Sequence, residues 1–156
     1  MGKRDVFWEH LPQDDEGQIC WPEDADQRLT LVRAAFGAKV IGALEAVLDA
    51  RLEVADGRAP APGSNDYERE AARRAVFAGM SDEQRVEVRR LVKDACFGTL
   101  YWILVKLEHF PFGEVDFKVE PCTPDGKALA PVGIEETELH HLYFDWVERF
   151  SDHGDL

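Results

Sequence analysis

The most chemically suggestive run in the chain is Glu138-Leu139-His140-His141. Glu138 and His141 have Glu-x-x-His spacing, which projects a carboxylate and an imidazole inward in di-iron helical bundles. Such a centre needs a second Glu-x-x-His and two further carboxylates on facing helices. No second copy exists: His10 and His109 each directly follow a glutamate, and His153 lies in a polar tail. Glu45 and Asp49, with Glu53 on the same helical face, are the carboxylates another helix would have to supply. Acids at steps of four usually form a solvated stripe instead. A metal-dependent helical-bundle enzyme using Glu138 and His141 is therefore the alternative reading. An exposed histidine pair near a helix start is the simpler one, with no metal and no cofactor.

Nucleophiles are no better assembled. Cys20, Cys96 and Cys122 are odd in number, far apart and without a C-x-x-C pair, so neither a zinc site nor a disulfide framework is indicated. Cys96 falls within an apolar period, where a thiol acts as a small hydrophobe. Cys122 follows Pro121 near a turn. Of the serines, Ser64 lies in a Pro/Gly loop, Ser81 has the spacing of a helix cap, and Ser151 lies close to the C-terminus. G-x-S-x-G, P-loop and dinucleotide fingerprints are missing from the sequence. These readings point away from an enzyme.

The charge is more informative. The 156 residues carry 31 acidic and 18 basic side chains, a net charge of -13. Residues 1–28 hold three basic and eight acidic residues, and residues 113–156 hold three and eleven, so the excess sits at the two ends. A negative field repels nucleic acid and anionic lipid and attracts basic surfaces. The expected partner is a basic protein. Its candidate contacts are Asp14, Asp15, Glu16, Glu135, Glu136 and Glu138, with Trp8, Trp21, Phe112 and Trp146 as candidate aromatic anchors. The longest nearly apolar run, Phe97 to Val105, is far short of the ~20 residues a membrane span needs. No secretory h-region precedes Pro12, so a cytoplasmic location is expected.

These residues must be positioned by a modest set of elements, expected as one domain over residues 1–156. Residues 1–21 fit neither helical nor strand period and read as an irregular arm with a solvated acidic bend. Asp24 with Gln27 caps a helix from about Ala25 to Val54, whose expected core face is Leu29, Val32, Phe36, Val40, Leu44 and Val47, widened by Ile41, Leu48 and Leu52. Gly37 and Gly42 within it, among Ala34, Ala35, Ala38, Ala43 and Ala46, mark a site of close approach by another helix. Two glycines and two prolines in residues 56–64 make a loop. Asn65 with Glu68 opens a helix ending near Ala78, with Gly79 as its C-cap. Ser81-x-x-Gln84 opens another toward Glu108, with Val88, Leu91, Val92, Ala95, Cys96, Trp102 and Val105 as its face. Its second half is rich enough in aromatic and β-branched residues to be a strand instead, although continuity favours helix. Its density of apolar residues predicts the centre of the core. Val115, Phe117 and Val119 alternate with polar residues, and Pro124-Asp125-Gly126 turns toward Ala128–Val132, together a hairpin. Glu135 to Phe150 reads as an amphipathic helix burying Leu139, Tyr143, Trp146, Val147 and Phe150. The fold class is mainly α (α+β): about four helices with a small β-hairpin before the last.

Residues 96–150 resemble in layout a group of small bacterial proteins in which an apolar helix ends at a Leu-Glu/Asp corner. There a short hairpin and a helix opening with Leu-His follow. The matching residues are Leu104-Val105-Lys106-Leu107-Glu108, Val115 to Lys118, and Leu139-His140-His141-Leu142-Tyr143-Phe144. His109-Phe110-Pro111 stands where glycines often follow the corner. Several small acidic proteins of this kind look like immunity proteins, so the resemblance implies a non-catalytic inhibitor that binds a toxin.

Overall fold

The computed structural model describes residues 2–55, 67–108, 119–132 and 139–153. The chain is mainly helical. Among the described residues the helices are α1 (Lys3–Glu9), α2 (Ala25–Ala55), α3 (Tyr67–Ala78), α4 (Asp82–Glu108) and α5 (Leu139–Phe150). The chain groups into two compact units, residues 1–43 with 101–156 and residues 44–100, and α2 and α4 each contribute to both. No helix among the described residues is long and apolar enough to cross a membrane.

The capping chemistry acts as its spacing requires. Asp24 Oδ1 accepts from Gln27 N at 2.9 Å and starts α2. Ser81 and Gln84 form a reciprocal box at α4: Gln84 N donates to Ser81 Oγ at 3.3 Å, and Ser81 N donates to Gln84 Oε1 at 2.9 Å. Each bond satisfies an N–H that a helix start leaves without an intrahelical acceptor. Gly79 follows α3 and donates to Val76 O, yet left-handed φ among the described glycines occurs only at Gly17 and Gly126. The expected αL cap at Gly79 is therefore replaced by a simple i→i+3 turn. The Asn65 cap and the 56–64 loop lie outside the described residues.

In the first unit, α5 is the centre of the core. Leu139, Tyr143, Trp146, Val147 and Phe150 are all buried, as its period predicts. Trp146 sits directly over Gly37, where an added Cβ would run into the indole, and its ring meets Phe36 edge-on at 5.6 Å. Close approach explains this glycine better than turn chemistry, because it lies inside a helix. Gly42 is crossed by the flexible end of Arg4.

The arm expected to be irregular contains α1. Two turns are too short to display a period, and α1 is held by its ends and one ring. Gly2 N donates to Asp5 Oδ2 and Lys3 N to Asp152 Oδ1, each at 3.0 Å, while Phe7 packs edge-on against Phe150 at 5.1 Å. Both carboxylates lie at the positive end of α1, where they also favour its dipole.

Residues 119–132 form isolated antiparallel bridges, Val119 with Val132 and Cys122 with Ala128, around a turn at Gly126 (φ +83°). Among the described residues these bridges do not extend into strands, and Val115 and Phe117 lie outside them. Of the expected hairpin, the described residues show two isolated bridges and a turn. Arg28 of α2 ties this segment down, donating to the carbonyls of Leu129 (3.1 Å), Pro22 (2.9 Å) and Glu23 (2.9 Å).

Three expectations about burial need correction. Along α2, Val32, Ile41 and Leu48 are buried as expected, with Ala34, Ala35 and Ala38 beside Gly37, whereas Val47, placed on the core face, is 53% exposed. Small residues permit the closest approach, so the buried face centres on these alanines and Val47 falls off its edge. Glu45, expected on a solvated stripe, is 1% exposed. Most importantly, the dense end of α4 is a helix but not the core centre: Phe97 and Leu104 are buried while Trp102 and Ile103 are 60% and 50% exposed. Leu91 is 55% exposed and Ala95 is exposed too.

Candidate functional site

The first unit carries a groove of about 450 Å³, within the usual size range of ligand sites. Three stretches build it. From α1 and the segment after it come Trp8, Gln13, Gly17, Ile19 and Trp21; from α2, Val32, Ala35, Phe36 and Lys39; from the bridged segment, Pro121, Cys122 and Leu129. Trp8 is braced edge-on by Phe7 at 4.9 Å, and Gln13 Nε2 donates to Trp8 O at 3.4 Å. The far wall is kept in place by Leu129 N donating to Pro121 O at 2.9 Å and by Arg28 on Leu129 O. A second cavity of about 380 Å³, sharing Trp21 and Leu129, is lined by Glu23, Arg28 and Lys127.

At the rim of the groove stands the acidic bend. Gln13 bridges Ile19, and Cys20 N donates to Pro12 O at 2.9 Å, closing a loop around residues 14–18. Asp14 Oδ1 accepts from Glu16 N (3.0 Å) and Gln18 N (2.8 Å), and Gly17 adopts φ +76°. A side chain capturing amides two residues on builds an Asx turn, and the positive φ needs a residue without a Cβ. Asp14 therefore holds the bend, while exposed Asp15 and Glu16 display the charge.

Among the described residues that line the groove, Lys39 is the one basic side chain. Its Nζ lies 4.8 Å from the Trp8 ring centroid, a cation–π contact. The thiol of Cys122 is exposed on the opposite wall.

None of the remaining described candidates lines this groove. Glu135, Glu136 and Glu138 lie outside the described residues, as does Phe112. Trp146, a proposed anchor, is 2% exposed and serves the core, because an indole over Gly37 has no open face to offer a partner. His141 is exposed and stacks on His140 at 4.2 Å between centroids. Among the described residues no three His, Cys, Asp or Glu side chains are grouped to hold a metal ion.

Comparison with family models, curated proteins and solved structures yields no match. The site must be interpreted from its own chemistry. Sequence reasoning missed Lys39, Arg28 and the groove itself, because its walls come from segments about 100 residues apart. Trp8 and Trp21, read as anchors near the acidic bend, were the visible signal.

Proposed function

We propose that this chain is a non-catalytic, cytosolic bacterial protein that binds a basic partner protein. In its specific form it is an immunity-type inhibitor. The observation that carries the reading is the juxtaposition of an aromatic-lined groove with a fixed acidic bend. Aromatic anchors supply contact area at low entropic cost. Carboxylates at the rim speed encounter with a positive surface. Asp15 and Glu16 are the contacts of this bend, and Asp14 is its positioning residue. Glu135, Glu136 and Glu138 extend the acidic surface in the same proposal. A complete hairpin from Val115 to Val132 belongs to the same proposal.

Capture of a partner from the source cell, followed by binding measured across a salt series, tests this. The expected partner is basic and its affinity falls as salt rises. The double change Asp15→Asn, Glu16→Gln should weaken binding and flatten the salt dependence. An acidic partner, or affinity indifferent to salt and to both substitutions, would overturn the reading.

A further inference from the structure

We infer that the groove receives a lysine or arginine side chain of the partner, and that Lys39 occupies that place in the free protein. This rests on the basic-partner reading and names what its groove recognises. Lys39 already shows that the face of Trp8 accepts a cation, with Nζ 4.8 Å from the ring centroid. Trp21 and Phe36 line the same groove, and Val32 and Leu129 complete an apolar surface. A long basic side chain suits such a surface: its methylene stem lies along apolar atoms while its charge meets aromatic faces.

The sign of the ligand follows from the rim. Gln13 and Gly17 line the groove, so the bend carrying Asp15 and Glu16 borders it. In a chain of net charge -13, carboxylates there oppose an anionic ligand and favour a cationic one. Lys39 is exposed, and among the described residues its recorded contact is Trp8 rather than a carboxylate. Nothing described there fixes it by an ion pair, so an incoming cation can displace it. Until displaced, it competes for the ring and repels the newcomer, which makes it an internal pseudo-ligand that lowers affinity.

The test uses the full chain and three probe peptides, N-acetyl-Leu-Arg-Leu-amide and its Gln and Glu counterparts. Binding is followed by the four indole N–H signals, with Trp8 assigned from Trp8→Phe. The arginine peptide should move the Trp8 signal and bind more tightly than the other two. Lys39→Met keeps the stem and removes the charge at an exposed position, and should tighten arginine-peptide binding by about 3–30-fold, the range expected of one cation–π contact. Three outcomes overturn the inference: unchanged or weaker binding by Lys39→Met, preference for the glutamate peptide, or failure of all three peptides to bind at millimolar concentration. Salt-dependent partner binding that Lys39→Met leaves unchanged would sink the groove assignment alone. Salt-independent partner binding that Lys39→Met tightens would sink the charge reading alone.

Discussion

Two helical stretches of the first unit, α5 and the last two turns of α4, contain comparable numbers of large apolar residues and have opposite fates. In α5 those residues recur at steps of three and four, and every one on that face is buried. In α4, Tyr101-Trp102-Ile103-Leu104-Val105 is apolar on all sides, so only one flank can face the interior. Leu104 takes it, and Trp102 and Ile103 stay exposed. Phe144, off the α5 face, joins them at 55% exposure and lies 5.6 Å from Tyr101. Density of apolar residues indicates how much could be buried, whereas periodicity indicates which residues are. The exposed remainder is a surface of the kind that marks an interaction site.

The largest expected effect is at the buried end of that comparison. Trp146→Ala removes the indole that fills the space above Gly37 and should cost about 3–5 kcal/mol. Urea unfolding followed by circular dichroism would show the midpoint falling sharply. A loss below about 1 kcal/mol would mean that α5 is not the core's centre. Tyr143, on the same face, adds a pH signature. Burial pushes its phenol from 10.0 up to about 12. Below pH 10 both folded and unfolded chains keep the proton. Between pH 10 and about 12 the unfolded chain loses it while the folded chain holds it, so stability falls through that window by roughly 2–3 kcal/mol. Tyr143→Phe should remove this component of the alkaline slope, and ultraviolet titration should show one of the three tyrosines ionising late.

Gly37→Ala tests the same contact from the other side and with a smaller expected effect. Alanine gains up to about 1 kcal/mol of helix propensity over glycine. Overpacking against a buried ring costs roughly 1–3 kcal/mol. The net should be a destabilisation of about 1–2 kcal/mol, and the double change Gly37→Ala, Trp146→Ala should recover the propensity gain. If Gly37→Ala stabilises the parent chain, the indole has room to shift.

What could be read from the sequence divides along these physical lines. Caps are local, so Asp24 and Ser81 were legible, and the strong period of α5 gave its core face residue by residue. The extent of α2 was legible for the same reason, ending at Ala55 against an expected Val54. Its buried face was legible in part: Val32, Ile41 and Leu48 are buried as expected, but Val47 is not, because a helix apolar nearly all round offers little contrast at the edges of its face. Glu45 was misread since nothing in an i, i+4, i+8 row of acids shows which member turns inward. The end acids were read as one field, yet Asp5, Asp14, Asp24 and Asp152 each accept a backbone N–H in a cap or turn. That part of the charge serves the fold. Asp15 and Glu16 are the partner contacts of the proposed reading, and only the three-dimensional bend separates them from Asp14. Arg28, reaching three carbonyls, one of them about 100 residues away, has no local signature at all.

The smallest expected effect lies at the exposed end of the comparison. Trp102 is the same residue type as Trp146 and lies in the same unit, so Trp102→Gln isolates the influence of burial. The ring keeps an edge contact with Tyr101 at 5.7 Å, which is worth about 0.5–1.5 kcal/mol between well-buried rings and less at a surface. Glutamine is as good a helix former as tryptophan or better, offsetting part of that loss. The net change should lie within about 0.5 kcal/mol, typical of a surface substitution. Binding of a hydrophobic dye should fall measurably, because the patch with Ile103 and Phe144 loses its largest member. A cost approaching that of Trp146→Ala would mean that the indole is covered in solution. Repeating the melt over a hundredfold range of protein concentration would then identify the cover. A melting temperature that rises with concentration indicates a second copy of the chain, since association stabilises by mass action. A constant one indicates cover from within the same chain. If Trp102→Gln leaves stability unchanged and lowers dye binding, the contrast between α5 and the end of α4 is one of exposure alone, and the patch is open to solvent.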